Sequence, residues 1–241
     1  MSDHLNQWLN ELEKLVKKVS SGLRILSNFK RQYQIFQAYV YTLSVYAIHE
    51  IRDSSISIDP QQLDAQGHFV FKNNPRAYYS GSSQAFSYFK INIDGRDFFA
   101  VLNIDAYVGG YRITPNPRLN LDIAIITDQI RGNIVDRDDV VFFIECKSVN
   151  HASPEYVATA LGQSFLIKRN IRRHTPHPYA HVTDLLAVRG TVTPAARGLL
   201  NLVSRWRKRV NCVDQISPGQ PGENALRREV RNIIRVLLQS I

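Results

Sequence analysis

Asn120-Leu-Asp122-Ile-Ala-Ile-Ile-Thr-Asp-Gln-Ile130 and Val140-Val-Phe-Phe-Ile-Glu145-Cys146-Lys147-Ser-Val149 are the two stretches whose pattern decides the fold of this 241-residue chain. Both are runs of β-branched and aromatic residues. Between them lies the polar, glycine-containing segment 131–139, so the pattern predicts two strands joined by a hairpin-like loop with a tight turn. The first strand is expected to begin at Asp122 and the second to carry its polar pair near its end. Side chains alternate along a strand, which puts Glu145 and Lys147 on one face and Cys146 on the other. Ionised Asp, Glu and Lys are almost never fully buried unless paired, so three such groups at the edge of an apolar sheet need a reason.

A divalent cation supplies one. Mg²⁺ is a hard ion that takes carboxylate and carbonyl oxygens and keeps several waters, so Asp122, Glu145 and the backbone carbonyl of Cys146 suit it, with Mn²⁺ as a substitute. A neighbouring lysine, Lys147, orients or helps to deprotonate an attacking water and offsets charge building on a phosphate.

Asp122 followed after 145 − 122 = 23 positions by Glu145-x-Lys147 resembles the motif of the PD-(D/E)XK nuclease superfamily, the restriction-endonuclease-like fold. The resemblance covers about residues 29–197. Leu121 stands where the superfamily motif has a proline. The resemblance implies an α/β fold with a central mixed β-sheet flanked by helices, here with extra N-terminal and C-terminal helices. It also implies a Mg²⁺-dependent endonuclease with Asp122, Glu145 and Lys147 as catalytic residues. Many members carry a glutamate on a helix ahead of the sheet, and Glu50 fits that description; the alternative is a solvated residue pairing with Arg52 or a neighbour. Some members place a glutamine on the helix after the catalytic strand, a place that Gln163 fits, the alternative being an ordinary helix-surface amide.

Charge is unevenly spread. The net charge is +9, yet residues 163–241 hold 14 Lys or Arg against 4 acidic residues, while residues 1–162 hold 16 against 17. The clusters Lys168, Arg169, Arg172, Arg173 and Arg205, Arg207, Lys208, Arg209 suit a phosphate backbone, and a third comprises Arg227, Arg228, Arg231 and Arg235. Taken singly, each reads better as a solvated helix face; three clusters downstream of the Glu145-x-Lys147 site shift the balance. The expected partner is nucleic acid, double-stranded DNA, bound by a homodimer. No run of about eighteen apolar residues and no secretory leader is seen, so no membrane contact and a cytoplasmic location are expected. With only Cys146 and Cys212, no cysteine metal site is indicated, and of the seven histidines, His49, His151, His174, His177 and His181 form no ligand spacing.

Outward from the motif, residues 4–20 and 29–51 have apolar residues at helical spacing, the second with Phe36, Val40, Leu43, Ala47 and Ile51 as its stripe. Residues 52–60 are expected to be a polar connection stopped by Pro60. Asp94-Gly95 predicts a hairpin between strands 86–92 and 97–107. Ser153-Pro154 opens a helix to about Asn170, residues 184–189 form a buried strand, and Thr193-Pro194 starts another helix. This gives a single nuclease-like domain over 1–214, with N-terminal helices at 4–52 and a catalytic core at about 29–210, a linker-like 215–222, and a basic amphipathic helix at 223–241. The expected function is DNA hydrolysis in restriction or defence. The alternatives are a repair or recombination nuclease and a non-catalytic nucleic-acid-binding protein on the same fold.

Overall fold

The computed structural model describes residues 3–26, 29–51, 53–73, 86–108, 118–127, 133–168, 177–204 and 210–239. In chain order the elements are α1 (Asp3–Val19), β1 (Arg24–Leu26), α2 (Gln32–His49), β2 (Ile56–Gln61), β3 (His68–Val70), β4 (Tyr88–Ile93), β5 (Arg96–Tyr107), β6 (Arg118–Ile126) and β7 (Ile134–Asp136). A 3₁₀ turn at Arg137–Asp139 leads into β8 (Val140–Lys147), β9 (His151–Ala152), α3 (Pro154–Lys168), β10 (Asp184–Val188), β11 (Thr191–Val192), α4 (Pro194–Ser204), β12 (Val210–Val213) and α5 (Pro221–Leu238).

The fold is α/β, built on an eight-stranded mixed sheet in the order β12-β10-β8-β6-β5-β4-β2, with β7 beside the far end of β5. Strands β2, β4, β5, β6 and β8 pair antiparallel in succession, whereas β8, β10 and β12 pair in parallel, as does β7 with β5. The change of direction at β8 follows from the chain: a parallel partner needs a crossover, and α3 provides it. Strands β8 and β10 are therefore covered on both sides and are apolar almost throughout, as Val-Val-Phe-Phe-Ile and Asp-Leu-Leu-Ala-Val show.

Helices cover both faces. Leu12 and Val16 of α1, the stripe of α2 and Leu226, Val230 and Leu237 of α5 share one core with Ile123, Ile144 and Ala187 of the sheet. On the opposite face α3 and α4 pack through Ile167, Val157, Ala160 and Ala196. α2 is buried nearly all round because α1, α5 and the sheet each claim a side; Trp8 meets the rings of Phe36 and Tyr39 edge-on. Its start is held by the Gln34 side chain, whose oxygen accepts from the main-chain N–H groups of Lys30 and Arg31. The β4–β5 hairpin turns at Asp94 and Gly95, both left-handed at φ 50° and 79°, as an Asp-Gly turn requires.

Four expectations are corrected. Segment 52–60 is not a plain connection: Ile56–Gln61 is the edge strand β2, where Pro60 is tolerated because an edge strand has one unpaired side. β6 does not begin at Asp122; it starts at Arg118 and Asp122 lies within it. Nor is there a tight turn between β6 and β8, since the connection gives β7, which pairs in parallel with Asp105–Tyr107 of β5. The segment 215–222 is packed rather than linker-like. Gln215 and Ile216 donate from their main chain to Gly190 and Val188 at 2.7 and 3.1 Å, Ile216 is buried, and a Cβ at Gly222 would overlap the carbonyls of Asp214 and Gln215.

Candidate active site

β6 and β8 pair as far as Ile123 opposite Ile144. One step further, where Asp122 would face Glu145, the ladder stops and a side chain takes over from the backbone. The Asp122 Oδ2 accepts the main-chain N–H of Cys146 at 2.8 Å, and its Oδ1 accepts from Gln37 Nε2 at 2.7 Å. Within a strand the N–H and C=O of one residue point to the same edge, so the Cys146 carbonyl is directed to the β6 edge as well.

Glu145 faces the α3 side. It is buried, its Oε1 accepts from Lys147 Nζ at 2.6 Å, and its Oε2 is buried with no hydrogen-bond partner. Lys147 Nζ also lies 5.5 Å from the ring centre of Tyr156 on α3, a cation–π distance. From the same helix Gln163 reaches in: Nε2 donates to the Asn120 carbonyl at 3.4 Å, and its Oε1 is buried without a partner. The site thus lies where the β6–β8 ladder stops, with α2 supplying Gln37 on one face and α3 supplying Tyr156 and Gln163 on the other.

Burial, and after it the Glu145 carboxylate, raise the pKa of the Asp122 carboxyl above the ordinary carboxylate value. Burial works to lower the Lys147 ammonium, but Glu145, by charge and hydrogen bond, outweighs it, so Lys147 is raised and stays protonated at neutral pH. Burial pushes the Cys146 thiol far up, which leaves it a packing group and no nucleophile.

Two carboxylates held close, a carbonyl beside them and two buried oxygens with no donor make up an oxygen-rich donor set. A buried oxygen without a partner is costly, and a small hard cation with its bound waters satisfies such oxygens. The residues present therefore fit Mg²⁺ or Mn²⁺. Among the described residues no cluster of three or more His, Cys, Asp or Glu side chains is gathered, so such an ion would rely on amide and backbone oxygens and on water beyond the two acids.

Of the residues singled out in the sequence, Asp122, Glu145, Cys146, Lys147 and Gln163 are brought together. Glu50 is not, and its role as metal ligand or catalytic group is corrected. It caps α2 at the end opposite Gln37, and 50 − 37 = 13 residues of helix separate the two by about 20 Å. Glu50 is instead bound by the Arg227 guanidinium of α5, with Arg231 at 3.7 Å. The helix residue that does reach the site, Gln37, was missed; its signal was an amide set between Ile35-Phe36 and Ala38-Tyr39-Val40 in the buried part of the helix.

Lys168 is also corrected as a nucleic-acid contact. Its side chain is 1% exposed and donates to the carbonyls of Val141 and Tyr179, 3.6 Å from the buried Asp184 carboxylate. Arg169, Arg172, Arg173, Arg205, Arg207, Lys208 and Arg209 lie outside the described residues. No helix among the described residues is long and apolar enough to cross a membrane.

The chain matches no protein-family model, no curated protein and no solved structure.

Proposed function

We propose that this chain is a divalent-cation-dependent nuclease that hydrolyses phosphodiester bonds of DNA on a PD-(D/E)XK-like site. One observation carries the reading: Asp122 and Glu145 come together where the β6–β8 ladder ends, with Glu145 Oε2 buried and unpaired and Lys147 fixed against Glu145 Oε1. Asp122, Glu145 and the Cys146 carbonyl would hold the ion. When bound, it supplies charge to polarise a phosphoryl oxygen and to lower the pKa of a water.

The remaining work falls to the chain. Lys147, kept protonated, places a positive charge where negative charge develops on the phosphate and donates to the oxygens around it. Gln37 and the Cys146 N–H fix the orientation of Asp122, so its carboxylate is organised before substrate arrives. Gln163 Oε1, buried and lacking a donor, would accept from a water of the site. The positive balance of the C-terminal third supports a polyanionic substrate.

Plasmid DNA and an RNA of similar length, incubated with the protein and Mg²⁺ or Mn²⁺, test this. Plasmid nicking is expected, lost in EDTA and reduced at least about a hundredfold by Lys147→Ala and by Asp122→Asn. Cutting that survives Lys147→Ala undiminished defeats the role given to that residue, and cutting of RNA alone overturns the substrate.

A further inference from the structure

Asp122 sits at an irregularity that begins on the neighbouring strand. β5 and β6 pair from Phe99 opposite Ile126 to Leu102 opposite Ile123, and again from Ile104 opposite Leu121, but Asn103 and Asp122 between them do not pair. The faces change at this step. On β5, Phe98, Ala100 and Leu102 belong to the core under α1, α2 and α5, yet beyond Asn103 it is Ile104 and Ala106 that join Phe99 and Val101 in the opposite core. On β6 the same inversion occurs at Asp122: Ile123 and Ile125 face the helical core, whereas Leu121 joins Ala124 and Ile126 on the other side. Each strand carries one extra residue, and because the two extras face each other the register outside them is unchanged.

Asn103 has the left-handed backbone that such a step needs, φ 52° in the middle of a twelve-residue strand. Asparagine tolerates that region better than most residues, but in a strand something must hold it there. Lys72 does so. Its side chain, 1% exposed, donates from the ammonium to the Asn103 main-chain carbonyl and to Asn133 Oδ1, and the Asn103 amide donates back to the Lys72 carbonyl at 2.7 Å. The pair fills a seam in the sheet, because β4 leaves β5 at Ala100 and β7 joins it only at Asp105.

We propose that Lys72 and Asn103 are the positioning pair for Asp122. By holding Asn103 left-handed they keep its cross-strand opposite out of regular alternation, so that the Asp122 carboxylate reaches the Cys146 N–H and stands beside Glu145. That this serves a cation site rests on the proposed function; that it sets the place of Asp122 does not.

Amide hydrogen exchange followed by NMR reads the position of Asp122 without metal, substrate or activity. The probe is the Cys146 N–H, which Asp122 binds; the internal control is the Ile144 N–H on the same strand. Asn103→Val, whose branched side chain opposes a positive φ, and Lys72→Met are expected to raise Cys146 exchange relative to Ile144 by at least about tenfold, towards the ratio in Asp122→Ala. Asn103→Gly, free to keep the left-handed backbone, is expected to leave the ratio within about threefold of the parent. A pair that only plugged the seam would change both amides together. Cys146 exchange that rises no more than that of Ile144 in Asn103→Val overturns the proposal; should that variant not fold, the same ratio in Lys72→Met decides. Failure of the nuclease reading shows separately, as uncut plasmid with the exchange ratios still responding.

Discussion

Single buried charges account for much of what is unusual in this protein, and each is handled by a different device. Asp184 is buried with Ser164 Oγ donating to one oxygen at 2.6 Å, the Phe143 N–H to the other at 3.1 Å and Lys168 beside it. Lys72 is held by main-chain and amide oxygens, and burial pushes its pKa down to about 7 despite the opposing pull of Asp105. The unfolded chain carries that lysine near its ordinary value of 10.5, so between about pH 7 and 10.5 the unfolded state binds a proton that the folded state has lost. Stability is therefore expected to rise with pH across this window, by an amount on the order of 5 kcal/mol as an upper bound. Urea denaturation of the parent and of Lys72→Met at pH 7 and pH 10 checks it: the difference between the two proteins should change by that sign, and a difference independent of pH refutes it. Little of this was legible in the sequence. Lys72 and Asn103 are 31 positions apart, Gln37 and Asp122 are 85 apart, and neither pairing leaves a local pattern. Asp122, Glu145 and Lys147 were legible because ionised groups among β-branched residues contradict their surroundings.

At the scale of elements, the helical stripes and the Asp94-Gly95 turn could be read because the residues that make them are adjacent or periodic. Strands β1 and β3 could not: each is three residues long and they pair with each other across more than forty positions. β2 was hidden by Pro60, although Ile56 and Ile58 alternate as a strand should. Glu50 was misassigned for a related reason, since a glutamate at the border of a buried helix looks the same from the sequence whether it turns to the sheet or to another helix. It joins α2 to α5: the Arg227 guanidinium binds it, Tyr46 lies 5.4 Å below the same guanidinium, and although burial alone would raise the Glu50 carboxyl, Arg227 brings it below the ordinary value. Because the group keeps about a fifth of its side chain exposed, the join is worth roughly 1 kcal/mol and no more. Glu50→Gln is accordingly expected to lower stability by about that amount and to leave plasmid cutting and its Mg²⁺ dependence unchanged. Loss of cutting in a folded Glu50→Gln protein would restore Glu50 to the site.

Across the whole molecule, the mixed sheet between helices follows from features that do show in the sequence: antiparallel strands around a hairpin, then a helix crossover into buried parallel strands. What stayed hidden is how the ends of the chain close the core. The polar, Pro- and Gly-rich segment before α5 suggests a tether to a separate helix, yet Leu226, Val230, Ile233, Ile234 and Leu237 are all buried in the same core as α2. Burying each such side chain contributes about 1.5–3 kcal/mol, so the five together are comparable with the total stability of roughly 5–15 kcal/mol that domains retain. Removing α5 would also expose the outer side of α2, the helix that carries Gln37 to Asp122. A chain ending at Asp214 is therefore expected to lose its cooperative thermal transition and its dispersed amide NMR spectrum, and with them the candidate site. A truncated chain that melts cooperatively within about 5 °C of the parent would show α5 to be an appendage after all, and would return the boundary of the folded unit to residue 214.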